Sequence, residues 1–195
     1  MGLNMPVATP EPPRATVEYV ILGLLSTQMP PEVHGYDLGR ALADGVLGQI
    51  VRVESGMLYH YLKRLSRDGL ISTRIEPQVG RPDRQLHATT PEGSSALQAW
   101  LSAPVRSTRE IRLEFLLKLY FARLLDPERA RRLVGEQIVI MRQRSGRLLT
   151  QLGRPQPPTA DNQFGEAVLR LRQGQTDSAL AWLESLPEAP GVSAT

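Results

Sequence analysis

Three histidines, His34, His60 and His87, are the first candidates for proton transfer or metal ligation, and they lie in unrelated segments without the short spacings that close a metal site. The sequence has no cysteine, so thiolate metal centres, cysteine nucleophiles and disulfides are excluded by arithmetic. No glycine pattern of the Walker or dinucleotide type occurs either. No catalysis, metal or cofactor is expected. The chemistry these residues favour is the binding of phosphates and base edges. On a helix that takes Gly56 as origin, with about 100° per residue, Tyr59, His60, Lys63 and Arg67 fall within about 60° of it, and Leu58, Tyr61, Leu62 and Leu65 cluster opposite. Ser55 and Gly56 leave room at the start of that helix. Tyr59 and His60 can donate to bases or phosphates, and Lys63, Arg64 and Arg67 can neutralise phosphates. Shortly afterwards, Gly80-Arg81-Pro82-Asp83-Arg84 places two arginines, Arg81 and Arg84, on a turn stiffened by proline. A cationic helix face alone is most often a merely solvated face; the arginine-bearing loop behind it is what favours nucleic acid.

The elements that must position these groups can be read from periodicity. Val17, Val20, Ile21, Leu24 and Leu25 make one apolar helical stripe, which Met29-Pro30-Pro31 ends. A second short helix carries Tyr36, Leu38, Ala41 and Leu42. The stretch from Gly45 to Glu54, with Ile50, Val51 and Val53, reads as a turn and a short extended piece. The helix of the cationic face follows, from near Ser55 to Asp68, and Gly69 ends it. Ile71, Thr73 and Ile75 alternate with polar residues as a half-buried strand does, and Arg84 to Thr89 is long enough to return antiparallel to it. Thr90-Pro91-Glu92 then opens a helix with an N-cap, a first-turn proline and an acid at the positive end of the dipole. Helix, helix, helix, strand, loop, strand, helix is the order of a winged helix-turn-helix. The expected fold is mainly α with a small two-stranded β-wing between Arg74 and Arg84, followed by a C-terminal helical dimerisation region.

Charge supports this only locally. The chain carries 23 basic and 20 acidic residues, and residues 14–104 hold nine of each. Residues 52–84 have seven basic against four acidic residues, the one local excess in that half. Residues 1–13 contain four prolines and lack the apolar run of a secretory signal; they read as a disordered tail. No run approaches the roughly 18 apolar residues that span a bilayer, so a soluble cytoplasmic protein is the default expectation.

Three units are expected: the tail at 1–13, a DNA-binding domain at 14–104 and a helical region at 105–195 with a break near 153–158. From Ile111 to Leu125 apolar residues, among them Phe115 and Leu119, occupy nearly every side of a helix, which calls for cover on every side. A partner subunit is the economical source of that cover. Asp126-Pro127-Glu128 opens a helix of roughly 40 Å to Leu152. Along it Val134, Ile138, Met141, Ser145, Leu148 and Leu152 follow the 4, 3, 4, 3, 4 spacing of a coiled-coil seam. Phe115, Leu119, Val134, Ile138, Met141, Leu148 and Leu152 are therefore the expected dimerisation residues. Trp100, Tyr120 and Phe121, with Trp182, are candidates for a pocket that takes a flat apolar effector, although aromatics on apolar faces are more often core.

Several of these segments resemble the PadR family: Gly35-Tyr36-Asp37-Leu38, Ser55-Gly56-Met57-Leu58-Tyr59, Leu62-Lys63-Arg64-Leu65, Asp68-Gly69-Leu70-Ile71, Gly80-Arg81-Pro82 and Thr90-Pro91-Glu92-Gly93. The resemblance covers roughly 15–101, and Glu114-Phe115-Leu116-Leu117-Lys118-Leu119 is similar to the C-terminal helical region of the longer members. The chain departs from the family at His87, where a tyrosine is usual, and at Thr89, where an aliphatic residue is usual. The resemblance implies a homodimeric repressor that binds double-stranded DNA at an inverted-repeat operator and is released by a small molecule or stress signal. The competing reading is a winged-helix protein-interaction module with weak, sequence-insensitive DNA binding.

Overall fold

The computed structural model describes residues 15–27, 32–77, 84–155, 157 and 159–190. The expected tail at 1–13, the Met29-Pro30-Pro31 stop and the wing tip with Arg81 lie outside the described residues.

In chain order the elements of the first half are α1 (Thr16–Thr27), β1 (Val33–His34), α2 (Gly35–Ala43), α3 (Gly45–Ile50), α4 (Ser55–Arg67), β2 (Ile71–Glu76), β3 (Arg84–Thr89) and α5 (Pro91–Ser102). The caps follow the sequence signals. Thr90 Oγ1 accepts from the Gly93 amide and donates to the Gly69 carbonyl, fixing the start of α5 against the turn that leaves α4. Gly69 makes that turn at φ +71°, a conformation that costs other residues steric energy.

Two features differ from the sequence reading. Residues 45–50 form a helix rather than a turn and extended piece, because Leu47 is drawn into the core at 3% exposure and tertiary burial outweighs local β-propensity. The sheet also has three strands instead of two: β1 adds to the wing pair in the order β1-β3-β2, all antiparallel. Two residues carry too little pattern to be read as a strand. The register brings Val33 and Thr73 to either side of His87, so that histidine lies on the central strand.

The second half comprises α6 (Thr108–Glu110), a π-helical turn (Ile111–Phe115), α7 (Leu116–Leu125), α8 (Pro127–Leu152) and α9 (Ala160–Glu184). α6 opens with a capping box in which the Ser107 hydroxyl accepts from the Glu110 amide and the Glu110 carboxylate accepts from the Ser107 amide. The Asp126 side chain accepts from the Arg129 amide at the start of α8.

Two apolar cores meet on α7. Leu117 and Phe121 belong to the first, with α1, α2, α4 and α5; Phe115, Leu119 and Ala122 belong to the second, with α8 and α9. This corrects the expectation that a partner subunit must cover the all-apolar helix and the α8 seam. α9 folds back on α8, so Phe115, Leu119, Val134, Ile138 and Met141 are all buried within one chain. Leu148 is also buried, and Leu152 is half-buried. The seam's one polar member, Ser145, donates to Asp177 and accepts from Gln173 on α9, giving the helical hairpin a polar register mark.

The crossing between the halves is tied by polar groups. The enclosed Lys118 ammonium donates to the Ala103 carbonyl at 2.6 Å, pairs with Glu114 at 2.8 Å and lies over the Trp100 ring at 5.2 Å. The fully buried Gln137 side chain both accepts from and donates to the Val105 backbone. Among the described residues no helix is long and apolar enough to cross a membrane.

Candidate nucleic-acid interface

α4 buries Leu58, Leu62 and Leu65 and turns its opposite face outward, as a strongly two-sided helix must. Ser55, Gly56, Tyr59, His60, Lys63 and Arg67 are all exposed on that outer side. A side chain at Gly56 would meet nothing within 4 Å, so the helix start is open to an approaching surface. Tyr59 is 54% exposed while its ring edge rests near the backbone of Gly35, leaving the hydroxyl at the rim. Lys63 has no ion-pair partner among the described residues. Arg67 is 72% exposed, although its guanidinium donates twice to the carboxylate of Asp68 at 3.0 and 3.1 Å.

Arg64 does not join this face. Its guanidinium lies 3.2 Å from the fully buried carboxylate of Glu18 on α1 and 4.0 Å from Asp68, with only 24% of its side chain exposed. A buried carboxylate without a counter-ion is costly, so Arg64 neutralises the core and is withdrawn from phosphate binding. The sequence placed it with the cations because Lys63-Arg64 are adjacent; the tilt of α4 against α1 decides otherwise.

On the wing, Arg84 opens β3 and is exposed, with no ion-pair partner among the described residues. Arg74, the other described wing arginine, is held by Glu32, to which it donates at 2.6 and 3.2 Å; this hydrogen bond holds the Glu32 carboxyl below its usual range. Arg81 lies outside the described residues.

A cavity of about 670 Å³ separates α4 from the wing base. It is bounded by His34 and the first turn of α2, by Tyr59, and by Arg84, Gln85 and His87 of β3. Sequence reasoning missed this grouping, since it left His34 and His87 in unrelated segments. No local signal marks it, since it depends on β1 pairing with β3. His87 is 3% exposed; burial, and secondarily the charge of His34, push its imidazole below the ordinary pKa of 6.5. Its Nδ1 is 3.0 Å from the Thr73 hydroxyl, and its Nε2 has no hydrogen-bond partner among the described residues.

The proposed effector aromatics do not form a pocket. Phe121 is completely enclosed, Trp100 stacks on Tyr19 with ring centroids 4.9 Å apart, and Tyr120 packs edge-on to Phe121. Trp182 sits edge-on to Phe115 in the second core. Trp100, Tyr120 and Phe121 fill space between helices, whereas Trp182 also borders an open groove of about 860 Å³ with Ile111, Leu171 and Ala179.

Two family matches divide the chain between its two halves, while Leu117 and Phe121 of the second half pack into the first core. Residues 21–99 match the Transcriptional regulator PadR-like family, and residues 111–189 match the Virulence activator alpha C-term family. The Negative transcriptional regulator PadR of Bacillus subtilis (strain 168) is 30% identical over 122 residues, covering 63% of this chain. The match spans 65% of that relative's own length. Among solved structures, Bacillus subtilis PadR in complex with operator DNA is 25% identical with a TM-score of 0.45, covering 88% of this chain and 96% of that one. The same protein in complex with p-coumaric acid has 25% identity and a TM-score of 0.40, with the same coverage. A Streptococcus mutans UA159 protein, smu.1604c, is also 25% identical, at a TM-score of 0.40 over 86% of this chain and 95% of its own.

Proposed function

We propose, from the match of residues 21–99 to the Transcriptional regulator PadR-like family, that this chain is a sequence-selective DNA-binding repressor, acting as a homodimer in the cytoplasm and not as an enzyme. The observation that carries the proposal is the outer face of α4, where Tyr59, His60 and Lys63 stand exposed and Tyr59 shares a cavity with Arg84 of the wing, which has no ion-pair partner among the described residues. Ser55 and Gly56 at the open helix start face base edges, and Lys63 and Arg67 face phosphates. Arg81, at the wing tip, is kept in the interface on its sequence position alone. Repression is the sign carried by the relative's printed name, a negative regulator.

Two-fold symmetry of the protein matches an inverted-repeat operator. The α8 seam is already occupied by α9, so we place the second copy on the outer side of α9, where Phe164 and Leu171 are, at 73% and 63%, the most exposed large apolar side chains of the helical half among the described residues. Release by a small molecule belongs to the same proposal, at a place other than the packed Trp100, Tyr120 and Phe121.

Binding of the purified protein to DNA from its own promoter and to scrambled DNA, across a salt series, tests this reading. Tight, selective and steeply salt-dependent binding is expected. Weak binding, equal on both DNAs, sinks it in favour of a protein-interaction module. Sedimentation equilibrium tests the dimer, and Phe164→Glu is expected to shift it toward monomer.

A further inference from the structure

We propose that the cavity between α2, α4 and the wing base is a phosphate-binding site. This deepens the DNA-binding reading and rests on it for the source of the phosphate. The site has donors on three sides. The first turn of the nine-residue α2 presents backbone amides and the positive end of the helix dipole, and its N-cap, His34, makes no side-chain capping bond to them. Tyr36, 71% exposed, and Tyr59 bring hydroxyls, and Arg84 brings a guanidinium free of any ion pair among the described residues.

The buried His87 is the feature that a solvated groove does not explain. It lines the cavity, it is 3% exposed, and its Nε2 is enclosed without a hydrogen-bond partner among the described residues. A polar atom in that state costs stability unless a ligand engages it. In the tautomer whose Nδ1 accepts from Thr73, Nε2 carries a proton available to an anion oxygen. His34 Nδ1 is likewise enclosed and without a hydrogen-bond partner among the described residues. Two carboxylates oppose an anion: Asp37 lines the cavity, and Glu76 lies 3.9 Å from His34 Nε2. Arg84 offsets one of these two charges, and the neutral donors of the amides, hydroxyls and His87 supply the remaining attraction.

Tyr59 and Arg84 belong both to this cavity and to the proposed interface, so a DNA backbone phosphate can enter without leaving the face that α4 presents. A free phosphate or phosphorylated metabolite offers the same oxygens. The experiment separates the two. The full-length chain, isotopically labelled, is titrated with inorganic phosphate and with chloride at equal ionic strength, following the amides of Gly35 and Tyr36 and the ring nitrogens of His34 and His87 by NMR. Saturable shifts with phosphate alone are expected, lost in Arg84→Ala, an exposed position whose change leaves the fold intact.

In a second arm, a single neutral methylphosphonate linkage is walked along a promoter duplex. One linkage per half-site is expected to cost wild type roughly tenfold in affinity, and Arg84→Ala nothing further at that linkage. Phosphate shifts without a sensitive linkage support the site and assign it to a free phosphate. Shifts that chloride reproduces, or that persist in Arg84→Ala, overturn the proposal. Failure of all DNA binding would remove the regulator reading, while the phosphate titration would still decide the cavity.

Discussion

Adjacent cations on α4 have opposite fates, and that makes them separable by experiment. Lys63→Ala is expected to weaken DNA binding on all sequences and to lower the salt slope by about one unit, with no change in melting. Arg64→Ala removes the counter-ion of the buried Glu18 carboxylate. It should destabilise the fold by on the order of 2 kcal/mol, less than a fully buried pair because Arg64 is partly solvated. Chemical denaturation of the two variants checks the contrast; equal stability of both would remove the structural role of Arg64. His87 supplies a pH signature. Its imidazole is held below the ordinary 6.5, so on acidification the unfolded chain takes up a proton that the folded chain refuses. The stability is complete above about pH 6.5 and is lost as pH falls toward the folded value. The carboxyls of Glu32, Glu110, Asp126 and Glu188, all held low, act only further down, near and below their ordinary 4.5 and 3.8. Melting temperatures of wild type and His87→Tyr between pH 7.5 and about 5 should diverge in slope; parallel curves would rule this out.

At the scale of elements, the junction of α1 with α7 is a close helix contact joining the halves. A methyl group at Gly23 would come within 2.6 Å of the Phe121 ring, which is itself fully enclosed. Gly23→Ala is therefore expected to cost roughly 1–3 kcal/mol by overpacking, despite alanine's better helix propensity, and Phe121→Leu in the same chain should restore part of it. Thermal denaturation of the single and double variants reads this directly. The caps at Thr90 and Asp126, strands β2 and β3, the start of α5 and the boundaries of α4 and α8 were legible from local chemistry, because N-caps, proline positions and apolar spacing act over a few residues. α3 and β1 were not. One depends on Leu47 finding the core and the other on a two-residue pairing across more than fifty positions of chain.

For the whole molecule, the α8 seam separates folding from association. Ile138 is 3% exposed within one chain, so Ile138→Ala should destabilise by about 2–5 kcal/mol by an amount independent of protein concentration. Denaturation at protein concentrations a hundredfold apart measures it, and a loss that depends on concentration would return the seam to a subunit interface. What the sequence determined by itself was everything encoded in local spacing: a winged helix-turn-helix order, an outward face on α4 bearing Tyr59, His60, Lys63 and Arg67, and the absence of thiol chemistry. What only the tertiary structure decided was which surface each apolar or charged side chain meets. Periodicity shows that the seam of α8 must be covered but not that α9 of the same chain covers it. Likewise, adjacency shows two cations at 63 and 64 but not that a buried carboxylate on α1 claims one of them. Helical spacing fixes the face of a side chain, whereas its partner comes from segments distant in sequence and is set only when the elements pack.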